Sequence, residues 1–303
     1  MKHLLKLEDL SKKEILEILN LADQLKYERK HGIEHPLLKG KTLGMIFQKS
    51  STRTRVSFEV GMYELGGNAL FLSNRDLQIG RGEPVQDTAR VLSRYVDGIM
   101  IRTFDQKEVE DFAKYGSVPV INALTDYCHP CQVLADLMTI REIKGSFDGL
   151  KVCFIGDGNN MANSIAVGAL KLGMKFSIAS PKGYEICSHI REFAKDYPGM
   201  FEAVNDPMVA ATDADVIFTD VWASMGEEGE ADVRRKAFEG IYQVNKELLS
   251  VAKSDCMLQH CLPAHRGEEI TEEVFEAHQD EIFEEAENRL HAQQAVMVKL
   301  MKD

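Results

Sequence analysis

Thr42-Leu43-Gly44-Met45-Ile46-Phe47-Gln48-Lys49-Ser50-Ser51-Thr52-Arg53-Thr54-Arg55 joins an apolar run to a turn rich in hydroxyls and guanidinium groups. Thr42–Phe47 reads as a buried strand. Beyond the turn, Val56, Val60 and Tyr63 recur at helical spacing until Gly66-Gly67 ends the run. A strand feeding a helix through such a turn gathers free backbone N–H groups, Ser and Thr hydroxyls and two arginines around one point. That point suits a phosphate, because a helix N-terminus favours an anion by about 0.3–1 kcal/mol, and by about 2 kcal/mol when partly buried. Arginine adds charge-assisted, bidentate hydrogen bonds. An ordinary Ser/Thr N-cap with solvated arginines has the same local sequence, so the rest of the chain has to decide.

Outward from this stretch, helix and strand patterns alternate. Asp87–Tyr95 reads as helix, Gly98–Ile101 as strand, Lys107–Tyr115 as helix, Val118–Asn122 as strand, and Gln132 to Ile143 as a long helix. Gly145-Ser146-Phe147-Asp148-Gly149 breaks the pattern and marks the expected domain boundary. A second series follows: strand Lys151–Ile155, a Gly/Asn turn, a helix ending near Gly173, strand Lys175–Ala179, helix Glu185–Tyr197, and strands Asp215–Thr219 and Cys256–Gln259. Glu284–Lys302 reads as a helix long enough to return across the boundary. Lys12–Lys26, carrying Ile15, Leu16, Leu19 and Leu25, reads as a packing helix. The expected fold is α/β, with two domains that are each a mostly parallel sheet flanked by helices. The expected domains are residues 1–145 with the C-terminal helix 286–303, and residues 146–285. The glutamate-rich stretch from Glu268 to Glu287 reads as a solvated face.

A length of 303 residues agrees with two domains. With 44% hydrophobic and 28% charged residues the composition is that of an ordinary globular protein. A net charge of −12 argues against a nucleic-acid surface and leaves anionic substrates dependent on local basic pockets. Met1-Lys2-His3-Leu4-Leu5-Lys6 lacks the features of a signal peptide, and no apolar run approaches the ~20 residues that span a bilayer. A cytoplasmic protein without a membrane partner is expected. The six cysteines are scattered. Cys128-His129-Pro130-Cys131 imitates a redox site or half of a zinc site, but no second pair stands at ligand spacing, which disfavours both readings.

In open parallel sheets ligands gather beyond the carboxyl ends of the strands. Arg102 ends one expected strand and His129 lies beyond the next. Asn159-Asn160 follows Lys151–Ile155, Asp220 ends Asp215–Thr219, and His260-Cys261 ends Cys256–Gln259. Taken singly, His129 reads as a loop histidine, Cys261 as a small buried hydrophobe, Met225 as core filler and Arg289 as a solvated helix charge. Their convergence on strand ends reads differently. His129 and Gln132, three residues apart, also fall on one turn of helix.

Three of these segments together, Ser51-Thr52-Arg53-Thr54-Arg55, His129-Pro130-Cys131-Gln132 and His260-Cys261-Leu262-Pro263-Ala264, resemble the aspartate/ornithine carbamoyltransferase family. The last resembles its ornithine branch, as does Asp220-Val221-Trp222-Ala223-Ser224-Met225-Gly226. The likeness runs essentially end to end, through Asp87-Thr88-Ala89-Arg90-Val91-Leu92 as well. It implies a reaction that makes citrulline and phosphate from carbamoyl phosphate and L-ornithine, an N-terminal carbamoyl-phosphate domain, a C-terminal amino-acid domain, and a homotrimer or an assembly of trimers. By the same resemblance Ser51, Thr52, Arg53 and Thr54 hold the phosphate, and Arg102 bridges it and the carbamoyl oxygen. His129 donates to that oxygen and Gln132 accepts from the carbamoyl NH2. Gln78 reaches a neighbouring subunit's site, Leu262 offers its carbonyl to the carbamoyl amine, and Arg289 lies near the carbamoyl group. Asn160 with Ser224 and Met225 takes the ornithine carboxylate, Asp220 its α-amine, and Cys261 sits beside the side-chain amine.

The implied chemistry needs no metal and no organic cofactor. It needs a neutral amine, and an amine of pKa near ~10.4 costs roughly 4–5 kcal/mol to deprotonate at pH 7. Arg102, His129 and Thr54 would stabilise charge growing on the carbamoyl oxygen, while Arg53, Arg55 and the helix terminus would stabilise the departing phosphate. Putrescine, N-acetylornithine and aspartate are the competing acceptors. From another class, Gly156-Asp157-Gly158 after a strand suggests an NAD(P)-linked oxidoreductase, weakened because Met161 stands where the third glycine belongs.

Overall fold

A computed structural model of the chain describes residues 1–75, 77, 82–223 and 228–302. It divides into two compact units, Met1–Met138 with Glu287–Asp303, and Thr139–Ala286.

In the first unit the apolar run is β1 (Thr42–Phe47), buried along its length after Thr42. The sheet has the order β2 (Asn68–Ser73), β1, β3 (Gly98–Arg102), β4 (Val120–Leu124), with every pairing parallel. The strand β2 has no counterpart in the sequence reading. It is an edge strand whose side chains are exposed or half-buried, so neither a continuous apolar run nor strict alternation marks it. β4 starts two residues later than the apolar pattern begins, after Pro119, which has no N–H to give the ladder.

The helices of this unit are α1 (Lys12–Lys30), α2 (Thr52–Glu64), α3 (Val85–Leu92), α4 (Gln106–Tyr115) and the start of α5 (Pro130–Lys144). α1 opens with a capping box: Ser11 Oγ accepts from Glu14 N at 3.2 Å and Ser11 N donates to Glu14 Oε2 at 2.9 Å. α2 opens on Ser51, whose hydroxyl accepts from Thr54 N. The last helix, α12 (Gln279–Met301), packs its residues from Glu287 onward within this unit. Lys26 of α1 donates to Asn288 Oδ1 at 2.7 Å. Gly61 of α2 permits close approach, since a Cβ there would stand 2.9 Å from Met297 Cε.

The second unit is built on a parallel sheet of order β7 (Phe201–Val204), β6 (Lys175–Ala179), β5 (Lys151–Ile155), β8 (Val216–Thr219), β9 (Met257–His260). The chain winds from β5 outward through β6 to β7, then returns to the other side of β5 with β8. The switch point therefore lies at the carboxyl ends of β5 and β8, where such folds collect ligands. That topology sets the turn after β5 beside Asp220. α6 (Asn160–Leu172) is almost wholly buried and ends at Gly173, in the left-handed region with φ +90°. The remaining helices are α7 (Ser188–Phe193), α8 (Pro207–Ala211), α9 (Ala231–Phe238), α10 (Lys246–Leu249) and α11 (Glu272–Ala277). Trp222, Phe238 and Tyr242 share an aromatic core, with Trp222 stacked on Phe238 at 5.8 Å.

Two expectations change here. The helix read from Glu185 to Tyr197 begins only at Ser188 and passes into a 3-10 turn at Ala194–Asp196. The residues before Ser188 are held outside the helix, because the Tyr184 carbonyl accepts from Gly158 N at 2.8 Å where the segment crosses the turn after β5. The glutamate-rich stretch is not uniformly solvated either. Glu269 and Glu285 are buried, and Glu281 accepts from Leu258 N at 2.7 Å, because these carboxylates hold β9 and the loop beyond it.

Candidate active site

In the first unit the phosphate-suited turn forms as the sequence suggests. Thr54 is fully buried, and Ser51 Oγ meets both Thr54 N at 3.2 Å and Thr54 Oγ1 at 3.0 Å. Arg53 is half-buried and Thr52 exposed. Arg55 goes elsewhere: its Nε donates to Glu59 Oε1 at 3.0 Å, and its guanidinium lies 3.7 Å from the centre of the Phe71 ring. Lys49 is likewise engaged, paired with Asp126 and 4.4 Å from the Phe104 ring centre.

Arg289, on α12, organises this region. Its Nη1 donates to Gln132 Oε1 at 2.6 Å and its Nη2 to Thr54 Oγ1 at 3.1 Å. The Gln293 amide is assigned with its oxygen towards Arg289, accepting from Nη2 at 2.9 Å and Nε at 3.1 Å. Gln132 passes the order on, its Nε2 donating to the buried Asp136 Oδ1 at 2.8 Å. The solvated helix charge that Arg289 would be in isolation is instead a buried hub, 3% exposed. A single planar fork bonded to three side chains fixes all of them.

His129 precedes α5 and is 4% exposed; Arg102 closes β3 and is 6% exposed. Burial, then the charges of Arg289, Arg102 and Arg53, holds the His129 ring well below the usual histidine range. A neutral imidazole among arginines can donate one hydrogen bond to an oxygen without adding net charge. The unfolded chain takes up a proton near pH 6.5 that the folded ring refuses, so this contribution to stability is complete above pH 6.5 and is lost as pH falls below it. In an NMR titration of labelled protein the His129 ring is expected to stay neutral through pH 6.5. An inflection at or above that value would refute the assigned environment.

In the second unit Asn159 caps α6, its Oδ1 accepting from Met161 N at 2.9 Å and Ala162 N at 3.2 Å. The other end of the same amide donates to Asp220 Oδ2 at 2.9 Å. Asp220 Oδ1 accepts from Val221 N at 2.8 Å and from the Cys261 thiol at 3.2 Å. Asp220 and Cys261 are thus in direct contact, and Asn160 follows Asn159 as the first residue of α6. Arg234 steadies the same edge, donating to Asp157 Oδ2 at 2.7 Å and to Trp222 O at 3.2 Å.

His260 Nδ1 accepts from Leu262 N at 3.0 Å, so its proton sits on Nε2, which donates to Glu269 Oε1 at 2.9 Å. Glu269 also accepts from His265 N at 2.6 Å, and His260 N donates to Glu285 Oε2 at 2.9 Å. Both ring nitrogens are committed, which makes His260 the brace of the Cys261–Leu262 turn. Leu262 itself has φ +57°, a conformation costly for a branched side chain and held by that brace.

Sequence reasoning placed Asn159 at a strand end without giving it a role, and missed Glu269 and Arg234. Asn159 carried a signal, being an asparagine directly before a helical pattern; Glu269 and Arg234 carried none. Gln78, Ser224 and Met225 lie outside the described residues. Among the described residues, ligand atoms of Asp220, His260 and Cys261 fall within 4.8 Å of one another, as do those of His265, Glu268 and Glu269. The first set has the donor types zinc prefers, although a metal on His260 would have to displace Glu269 or Leu262. Cys128 and Cys131 are buried, burial raising both thiols, Cys131 to about 12. Burial thus disfavours at both residues the thiolate that redox chemistry needs.

The glycine turn after β5 has a structural purpose. A Cβ on Gly158 would lie 2.2 Å from Ile186 N and 2.4 Å from Glu185 C. The chain's own backbone fills the space against which a dinucleotide's pyrophosphate would lie, which removes the oxidoreductase reading.

Residues 2–142 match the family model described as aspartate/ornithine carbamoyltransferase, carbamoyl-P binding domain, and residues 148–300 match its Asp/Orn binding domain. An ornithine carbamoyltransferase of Oceanobacillus iheyensis is 55% identical, over 99% of this chain and 94% of that protein. Among solved structures, the ornithine carbamoyltransferase of Pyrococcus furiosus superposes with a TM-score of 0.94 at 54% identity, covering 99% of this chain and 97% of that one. The anabolic ornithine carbamoyltransferase of Campylobacter jejuni gives 0.93 at 49% identity, covering 99% of each chain.

Proposed function

The chain belongs to the aspartate/ornithine carbamoyltransferase family, and from that membership we propose that it transfers the carbamoyl group of carbamoyl phosphate to the side-chain amine of L-ornithine, giving L-citrulline and phosphate. The contact between Asp220 and the Cys261 thiol carries the choice of acceptor. It fixes a buried anion beside a soft, uncharged sulfur, which suits an acceptor with an α-ammonium and a second amine. The second carboxylate of aspartate would be repelled there. Putrescine would leave the groups for an α-carboxylate without a partner, and N-acetylornithine would leave Asp220 without its counter-ion.

In this reading carbamoyl phosphate is held by Ser51, Thr52, Arg53, Thr54 and Arg102 through its phosphate. Arg102, neutral His129 and Thr54 take the charge that grows on the carbamoyl oxygen. Gln132, whose Oε1 accepts from Arg289, takes the carbamoyl NH2. The Leu262 carbonyl is the other acceptor for that group. Asp220 holds the α-amine of ornithine, and Asn160 with Ser224 and Met225 its carboxylate. Cys261 lies beside the attacking amine, which must shed a proton as the C–N bond forms and the C–O bond to phosphate breaks. Parallel assays of carbamoylated product with ornithine, putrescine, N-acetylornithine and aspartate test this. Ornithine is expected to be preferred over each by at least about 10²-fold in kcat/KM, and equal turnover of any other amine would refute it.

The six cysteines are free thiols, which supports a reducing, cytoplasmic setting. A homotrimer is supported by exposed apolar side chains on the first unit, Val56 and Tyr63 of α2 and Leu70 and Phe71 of the edge strand β2. Gln78 would act across that contact. A light-scattering mass of one chain at assay concentration would dismiss the assembly.

A further inference from the structure

The second unit contains a cavity of ≈ 150 Å³ at the carboxyl ends of β6 and β7, lined by Ser180, Glu185, Ile186, Arg191, Val204 and Asn205 among others. None of these residues belongs to the site described above. Open parallel sheets present this edge to ligands, and a cavity of this size admits a small metabolite, not a nucleotide.

Its polar groups are arranged and unspent. Glu185 Oε2 accepts from Gly183 N at 2.9 Å, which fixes the carboxylate and leaves the other oxygen open. Arg191 Nε donates to Ile186 O at 3.2 Å, which fixes the guanidinium and leaves its two terminal nitrogens. The pair lines one cavity without forming an ion pair with each other or with any other described residue. Both residues are exposed to solvent. The Ser180 hydroxyl, in a residue 3% exposed, has no hydrogen-bond partner. Asn205 Nδ2 is committed to Ser180 O at 2.8 Å, and its amide oxygen remains.

A buried unsatisfied hydroxyl has a cost that a ligand can remove. A simple anion would meet the Glu185 carboxylate, and a simple cation would meet Arg191. A molecule carrying both charges meets neither objection, and the ≈ 150 Å³ volume leaves room for only a short side chain. We propose that this cavity is a second amino-acid site, binding a small α-amino acid with its carboxylate on Arg191 and its ammonium on Glu185. This assignment goes beyond the carbamoyl-transfer reading and does not depend on it. The wall formed by Glu185 and Ile186 is the segment that closes over Gly158. The site is therefore built into the support of the Asn159–Asp220 contact.

Isothermal titration of the full chain with L-valine and L-alanine tests the proposal. Saturable binding with a Kd of about 1 mM or tighter is expected for at least one of them. Isovalerate and isobutylamine, each keeping one of valine's charges, should bind at least about tenfold more weakly. Binding should weaken about tenfold or more in both Arg191→Gln and Glu185→Gln, and persist in Asp220→Asn and in the presence of saturating ornithine. Failure of both amino acids to saturate would overturn the site. So would binding that survives both cavity variants, vanishes in Asp220→Asn, or is matched by either singly charged analogue. A chain that makes no citrulline yet binds valine in this pattern would retain the site and lose only the transferase reading.

Discussion

Replacing Arg289 by lysine is expected to lower kcat/KM for carbamoyl phosphate by about 10²–10³-fold, the loss expected when Thr54, a group assigned to the developing oxyanion, is no longer held in place. The charge survives this substitution, so the effect isolates geometry. The native guanidinium bonds Gln132 through Nη1, Thr54 through Nη2, and Gln293 through Nη2 and Nε. An ammonium places all its donors on one tetrahedral nitrogen and cannot satisfy three partners spread round a planar fork. Gln132 and Thr54 then lose their fixed orientation just where the carbamoyl group is read. Buried acceptors left unsatisfied also cost about 1–3 kcal/mol each in stability, so thermal unfolding should shift downward with the fold retained. Initial rates against carbamoyl phosphate, with unfolding curves on the same samples, make the comparison. A folded variant with parental kcat/KM would remove Arg289 from the site.

Asp220→Asn is expected to act on the other substrate. Truncating one partner of a buried charge pair costs about 2–5 kcal/mol, so kcat/KM for ornithine should fall by roughly 30-fold or more. The affinity for carbamoyl phosphate should not change, because the groups assigned to it do not include Asp220. The substitution is nearly isosteric, and the asparagine oxygen can still accept from Val221 N and the Cys261 thiol, while its NH2 faces the Asn159 NH2 and loses that bond. The changes are therefore loss of the negative charge and of one hydrogen bond. Equal damage to both substrates would mean a disturbed fold, and unchanged ornithine kinetics would release Asp220 from its role. N-Acetylornithine, lacking the α-ammonium, should be turned over no worse by the variant than by the parent.

The elements read most closely were the buried strands. β1, β5 and β6 match the apolar runs that announced them, because a strand covered on both faces must be apolar at every position. β2 and β7 were not legible, since their side chains are exposed or half-buried and leave no continuous apolar run. The shortened helix before Ser188 shows the limit of periodicity. Glu185 and Ile186 suit a helix locally, yet they form the strap over Gly158, a contact that no local pattern encodes.

The candidate site divides along the same line. Sequence by itself determined the α/β class, the family, and the polar clusters at strand ends, because each lies within a few residues of a recognisable turn and its chemistry is carried by residue type. It could not determine what each group bonds. Arg289 and Thr54 are 235 positions apart, Cys261 and Asp220 are 41 apart, and only the winding of the sheets and the return of α12 bring them together. Tertiary structure also decided against local appearance: Arg55 turned to the Phe71 ring, and Glu269 buried to brace His260. Local propensity and pattern act over a turn of helix or a strand, whereas a hydrogen bond between distant segments exists only once burial has made both groups need a partner.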